Sequence, residues 1–310
     1  MVFLICLVAC GKPDSHGAPD SGGAQIATAE NTDEPFESKA ENLEKTLQEI
    51  EAATNVKFMR EPWTGDLDVM AEKRVIRVLT VYGLGRYYVD EGREKGFTYE
   101  FFKMFEDYIN DRLGTGHLRV HVLFIPVARD QLIPGLLGGR GDIAAAGLTI
   151  TPERAAIIDF SDPVAEKVSE VLVTGPSAPE IGRLEDLAGR EICVRASSSY
   201  RSSLDALNAR FREQGLEEIR IKDVLEQLED EDILEMVNSG MLDWAVIDDY
   251  KANSWKELFD KITVREDLVF RSGGRIGYAM RKDSPKLADA LNAFMKSHKL
   301  GSLHGNILIN

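Results

Sequence analysis

Nucleophiles and metal ligands are sparse in this sequence. Its three cysteines are Cys6, Cys10 and Cys193. Cys193 lies inside Glu191-Ile-Cys-Val-Arg195, a strand-like run, and reads as a small buried apolar residue, because no histidine partner can be assigned to it. The five histidines, His16, His117, His121, His298 and His304, lack zinc-site spacing. His117 and His121 flank and enter a strand, so they share no helical face. No metal or cofactor is predicted. Gly83-Leu-Gly85 lacks the third glycine of a dinucleotide loop, and neither a Gly-x-Ser-x-Gly elbow nor a phosphate loop occurs. Arg140-Gly141-Asp142 spells an adhesion tripeptide, but a turn before a buried strand explains it.

What remains is recognition chemistry. Arg154 offers a planar fork that matches a carboxylate, with an ion pair to Asp159 or Asp162 as the alternative. Ser197, Ser198 and Ser199 precede a helical run, whose free N–H groups favour an anion. One of these serines is expected to serve as the helix N-cap. Gly147 and Asp248 each stand just past the carboxyl end of an apolar strand. Asp248 also opens a helical run, so capping competes with ligand contact. Tyr82, Tyr87 and Tyr88 follow the first strand. The acidic run Glu229–Asp232 reads as a solvated helix boundary.

The elements that must position these residues alternate between strand and helix. Val75–Val81 is an apolar, β-branched run and predicts a strand. Thr98–Leu113 carries Phe101, Phe102, Phe105, Tyr108 and Ile109 at helical spacing. Leu118–Phe124 predicts a strand, Arg129–Leu137 a helix, and Ile143–Ala146 a short buried strand. The second half repeats this grammar with a strand over Glu191–Arg195, a helix over Ser202–Gln214, a strand over Ile219–Ile221, a helix over Asp232–Asn238 and a strand over Trp244–Ile247. Asp142-Ile-Ala-Ala-Ala-Gly147 aligns with Asp243-Trp-Ala-Val-Ile-Asp248. The fold class is therefore α/β: two lobes, each expected to hold a mostly parallel sheet flanked by helices. Ligands of such sheets bind outside the carboxyl ends of the strands, so two facing lobes make a cleft. Val168–Thr174 and Arg275–Arg281 are the expected crossings that form the hinge, and Pro285–His298 is a final helix expected to return to the first lobe.

Composition narrows the classes. Of 310 residues, 44% are apolar and 29% charged, which suits a globular chain. A net charge of −15 argues against nucleic acid as a partner. Residues 30–72 hold 12 acidic and 4 basic side chains, and residues 222–260 hold 12 and 3, so these two blocks carry nearly all the excess. Leu7-Val8-Ala9-Cys10 has the form of a lipobox, with Cys10 as the lipidation site. Gly11–Thr32 is rich in Gly, Ala, Ser, Asp and Pro and suits a flexible tether. Glu37–Val56 places Leu43, Leu47 and Ile50 at helical spacing. The expected division is 1–10 as leader, 11–72 as tether and linker helix, 73–171 as the first lobe, 172–274 as the second, and 275–310 as return strand and terminal helix.

The run Gly141-Asp-Ile-Ala-Ala-Ala-Gly-Leu-Thr-Ile-Thr-Pro-Glu-Arg154, followed by Asp159-Phe-Ser-Asp-Pro163, resembles family 3 of the bacterial extracellular solute-binding proteins. Gly96-Phe-Thr-Tyr-Glu100, Leu187-Ala-Gly-Arg190 and Asp243–Asp248 extend the likeness. Asp130–Asp142 resembles the solute-binding module of the membrane-bound lytic murein transglycosylase F family, and His298–Leu308 resembles the junction before that family's catalytic domain, which has no counterpart in this sequence. The resemblance implies the two-lobed periplasmic-binding-protein fold of type II. It implies that Arg154 pairs with a ligand carboxylate and Asp248 accepts a ligand ammonium. It places Gly147, Thr149, Ser198 and Ser199 at the ligand, with Tyr87 or Tyr88 over its side chain. The implied ligand is a small zwitterion, an amino acid or a peptidoglycan stem-peptide fragment. The implied setting is a lipid-anchored, periplasm-facing protein on the outer or cell membrane. Its partner would be a peptidoglycan-lysing enzyme or, alternatively, an ABC permease. A dehydratase-type enzyme on this fold, with Glu100 as its acid, is the rival from another class.

Overall fold

The computed structural model describes residues 61–297. The expected leader with Cys10, most of the tether, the linker helix over Glu37–Val56 and the tail from His298 lie outside the described residues. Two hydrophobic cores stand in the described part, one per lobe, with a smaller cluster on the other face of the first sheet.

The first lobe is built on β1 (Val75–Thr80), β4 (His121–Pro126) and β5 (Ile143–Thr149), with β1 parallel to both neighbours. Every residue of β1 is buried, because helices cover both faces. Phe101, Phe102 and Phe105 on α2 (Phe97–Leu113) fill one side. Leu132 and Leu136 on α3 (Leu132–Leu137) fill the other. The final helix α8 (Pro285–Ser297) packs Leu291 and Phe294 against the α2 aromatics, with Phe101 and Phe294 meeting edge to face at 5.1 Å. A small hairpin, β2 (Tyr88–Asp90) and β3 (Arg93–Lys95), interrupts the passage from β1 to α2.

The folded body starts earlier than the expected Lys73. Helix α1 (Leu67–Lys73) buries Leu67 and Met70 in the first core. Its N-cap Asp66 also accepts the backbone N–H groups of Lys286 and Leu287 at the start of α8. The ring of Trp63 lies 3.6 Å from the Arg77 guanidinium. Two apolar residues in so short a helix were too weak a periodic signal to separate from the acidic block around them.

The second lobe carries β8 (Glu191–Val194), α5 (Ser199–Glu213), β9 (Arg220–Asp223), α6 (Asp230–Asn238), β10 (Trp244–Asp248) and α7 (Asp249–Lys256). The parallel character expected of both lobes is confined here to β8 and β9. Strand β10 instead runs antiparallel to β7 (Ala165–Thr174), which runs antiparallel to the 18-residue β11 (Thr263–Met280). Strands β7 and β11 are the crossing segments, and β11 also pairs with β5 and with the two-residue β6 (Asp159–Phe160). One ladder, β10-β7-β11-β5-β1-β4, thus runs through both lobes. Their repeat reaches side-chain detail. Asn110 on α2 exchanges hydrogen bonds with both backbone groups of Val120, at 2.8 Å each. Asn208 on α5 does the same with Ile219, at 2.9 and 2.7 Å. In each lobe one amide ties the long helix to the segment entering the next strand.

Candidate ligand-binding site

The segments that follow β4 and β8, the carboxyl end of β5 and the N-terminus of α5 converge between the lobes. A chamber of about 210 Å³ there is lined by Gly147, Thr149, Arg154, Ser197–Ser199, Arg195, Asp230 and Lys251 among others. A second, of about 480 Å³, shares Gly147, Asp230 and Lys251 with it and is walled by Phe97, Tyr250, Trp255 and Tyr278.

Arg154 is placed by α4 (Pro152–Ile157), whose N-cap Thr151 accepts from the Arg154 backbone N–H. Its guanidinium reaches across the cleft. One nitrogen donates to the Thr149 carbonyl at 3.0 Å, and the other to the Ser197 carbonyl of the second lobe at 2.9 Å. Neither Asp159 nor Asp162 pairs with it, nor does any other described carboxylate. Burial, with Arg129 and Arg271 nearby, lowers its pKa to about 10. The site is short of negative charge at this point.

The three serines divide the work. Ser198 is the N-cap of α5 and accepts from the Tyr200 N–H. Ser197 gives its N–H and hydroxyl to the Glu226 carboxylate. Ser199 meets the Thr149 hydroxyl at 3.2 Å and donates to Glu170 at 2.9 Å. Glu170 on β7 is also bound by Ser203 and by Arg271, its register partner on β11, so both crossing strands are braced to the start of α5. Gly147 has φ +60°, and a Cβ there would come within 2.5 Å of the Arg86 guanidinium. The positive φ favours glycine, and a larger residue would also have to displace the tip of the Arg86 side chain.

Asp248 does not take the position expected of it. Its carboxylate is buried, lines neither chamber, makes no helix-capping bond, and lies 2.8 Å from Lys251 Nζ. Lys251, one turn along α7, occupies the space between Asp248 and the cavity. Its ammonium also meets Asp230 at 2.8 Å and the Tyr200 hydroxyl at 3.2 Å. Asp230 in turn accepts from Arg195. Burial works against the charge on Asp230, but Lys251 and Arg195 hold its pKa well below the usual carboxylate range. The acidic run is therefore not a solvated boundary at its start. Glu229 and Asp230 are only 2% and 3% exposed, each facing cations.

The tyrosines also differ from expectation. Tyr87 is turned into the first core by the β2–β3 hairpin, stacks on Phe124 at 5.4 Å and donates its hydroxyl to Glu94 at 2.6 Å. Tyr88 pairs with Lys95 in that hairpin. Neither lines a chamber; the aromatic wall comes from Phe97, Tyr250, Trp255 and Tyr278. Glu100 sits in the first turn of α2 and lines neither chamber. Sequence reasoning missed Arg86, Arg129, Arg195, Asp230 and Lys251. A charged residue directly after an apolar strand, as Arg195 is, was the available signal.

The lobes are latched together. Arg129, after β4, forks onto Glu229 of the second lobe at 2.8 and 2.5 Å, with both side chains buried. Replacing Glu229 with Gln keeps the shape and removes the charge. Hydrogen bonds to charged groups contribute ~1.5–3 kcal/mol, so the closed form should lose roughly 10–100-fold in population and ligand affinity should fall in proportion. Titration calorimetry with small-angle scattering reads both. An unchanged radius of gyration and affinity would remove the pair from closure.

The family model for bacterial extracellular solute-binding proteins, family 3, matches residues 82–303. The chain belongs to that family. The matched residues span both lobes and every site residue described above. The chain is 24% identical over 253 residues to a membrane-bound lytic murein transglycosylase F of Saccharophagus degradans, covering 81% of this chain and 47% of that one. It spans about half the length of the curated relatives it matches. It superposes on a mutant of ArgBP from T. maritima with a TM-score of 0.60 at 22% identity, covering 78% and 96% of the two chains. It superposes on an ancestral arginine-binding protein bound to glutamine with a TM-score of 0.58 at 26% identity, covering 76% and 96%. This family-3 chain therefore corresponds to a solute-binding domain and not to a transglycosylase catalytic region. The family is extracellular, and among the described residues no helix is long and apolar enough to cross a membrane.

Proposed function

We propose that this family-3 protein closes on a small carboxylate ligand, an amino acid or a peptidoglycan stem-peptide fragment, with Arg154 receiving the carboxylate. The observation that carries the reading is the Arg154 guanidinium. It stands in the interlobe cavity, bridges both lobes through carbonyls and has no carboxylate partner among the described residues. A guanidinium has five donors, so those left after two carbonyl bonds can serve a ligand. Thr149 and Ser199 bring hydroxyls from opposite lobes to the same wall. A carboxylate here completes contacts that neither lobe makes alone, which couples binding to closure.

The biological role we assign is sensing that regulates peptidoglycan lysis, supported by the similarity to lytic murein transglycosylase F chains about twice this length. A lipid anchor at Cys10 would hold the protein to the outer or cell membrane, facing the periplasm. The test is thermal unfolding of the chain with free amino acids and purified muropeptides. A ligand at 100 times its Kd should stabilise it by ~2.7 kcal/mol. Failure of every member of both sets to raise Tm would reject the reading.

A further inference from the structure

The charges that face the cavity say what its ligand lacks. We infer that Lys251 holds the position a ligand's α-ammonium would need, so that the site takes carboxylates whose α-carbon bears no free ammonium: acids with no amino group, or peptide-type carboxylates whose α-nitrogen is acylated. This rests on Arg154 as the carboxylate site and narrows the ligand class proposed for it.

Among the described residues, the carboxylates near Arg154, with two exceptions, each face a cation or hydroxyl donors. Asp230, which lines both chambers, is bound by Arg195, Lys251 and the Tyr200 hydroxyl. Asp248 lies 2.8 Å from Lys251 Nζ in a charge contact, neither of its oxygens makes a hydrogen bond, and it lines neither chamber. Glu229 is engaged by Arg129. Glu170 is engaged by Arg271 and two serines. Glu226 holds Ser197. Two acids are left. Asp130 is exposed at the rim of the smaller chamber, where water screens it. Glu231 has an unpartnered oxygen, but it lines only the larger chamber, which Arg154 does not reach.

Lys251 is not a mobile occupant. It is about one-tenth exposed and has three polar partners. Burial opposes its charge, but Asp230, Tyr200 and Asp248 keep it protonated. An ammonium on the α-carbon of a ligand held by Arg154 would enter a wall made of Arg129, Arg195 and Lys251. The carboxylates on that wall are already neutralised by these cations, so the ammonium would stand there without a counter-ion of its own, and a buried unpaired ion is strongly disfavoured. An acyl group on the same nitrogen removes that charge, and the adjoining 480 Å³ chamber with its aromatic wall has room for the added atoms.

Matched probe sets test this: L-phenylalanine, 3-phenylpropanoate, N-acetyl-L-phenylalanine and glycyl-L-phenylalanine, with the corresponding sets for alanine and leucine. Each is titrated into the full chain by calorimetry and thermal shift. The expected result is that a probe with no free ammonium on its carboxylate-bearing carbon binds at least about tenfold tighter than its parent amino acid. The des-amino arm separates simple acids from the two acylated arms, which represent peptide termini. In Lys251→Ala the preference should reverse, because the ligand ammonium can then stand between Asp230 and Asp248. If that variant does not fold, the wild-type comparison decides alone. A parent amino acid binding wild type as tightly as its counterparts without a free α-ammonium on the carboxylate-bearing carbon overturns the inference and leaves the Arg154 reading standing. No binding by any probe rejects that reading, and this inference with it.

Discussion

Replacing Arg154 with Ala should abolish ligand binding while leaving the unliganded protein folded. The guanidinium is the cation of the smaller chamber with no carboxylate partner among the described residues, so its charge is available to a ligand. Removing one side of a buried, hydrogen-bonded charge pair costs about 2–5 kcal/mol, which is roughly 30-fold to several thousand-fold in Kd. The free protein loses two carbonyl hydrogen bonds but is relieved of a buried cation already weakened by Arg129 and Arg271. Its own stability should therefore move by no more than about 1 kcal/mol. Arg154→Lys separates charge from geometry, because lysine keeps the charge and loses the planar fork. Its affinity should fall between wild type and Ala. Calorimetry for binding, with denaturant unfolding of the unliganded chain, reads both quantities. Unchanged ligand affinity in Arg154→Ala would move the carboxylate site elsewhere.

Asp142→Ala should have the opposite profile, a large loss of stability with no direct role at the ligand. Asp142 is fully buried at the entry to β5. It accepts the Arg77 backbone N–H at 2.9 Å, the Arg77 side chain at 3.0 and 2.9 Å, and Arg281 at 3.1 Å. Arg77 comes from β1 and Arg281 follows β11, so one carboxylate ties three strands together. Its removal leaves the buried Arg77 without a counter-ion and Arg281 with only the exposed Asp283 at 3.4 Å, at a cost of about 3–5 kcal/mol. For a body of this size that lowers Tm by roughly 6–20 °C. Thermal unfolding measures it. A shift under about 2 °C would mean that the arginines find other partners in the Gly139, Gly141 and Trp63 carbonyls they already contact.

The same residue shows where sequence reasoning succeeds and where it stops. A turn before a buried strand was legible at Arg140-Gly141-Asp142, because apolar runs and glycines report local backbone geometry. The two arginines that meet Asp142 lie 65 and 139 positions away, and nothing local marks them. Tyr87 and Tyr88 were placed near the ligand from their position after β1. The hairpin that turns Tyr87 inward depends on pairing at Gly83 and on Phe124, a β4 residue.

The family resemblance implied the cleft positions of Arg154, Thr149 and Ser199, whereas periodicity and order along the chain were enough for the alternation of elements, the two-lobed plan and the place of Gly147 near a strand's carboxyl end. These follow from which face of each element is apolar and from where such sheets leave backbone groups unpaired. The charge state of the cavity required the folded chain. Lys251 meets Asp248 from the same short helix, but Asp230, Arg195 and Tyr200 come from other elements, and only their convergence turns an acid offered to a ligand into one consumed by a lysine. Electrostatic partners are chosen by distance in space, which spacing in sequence does not encode.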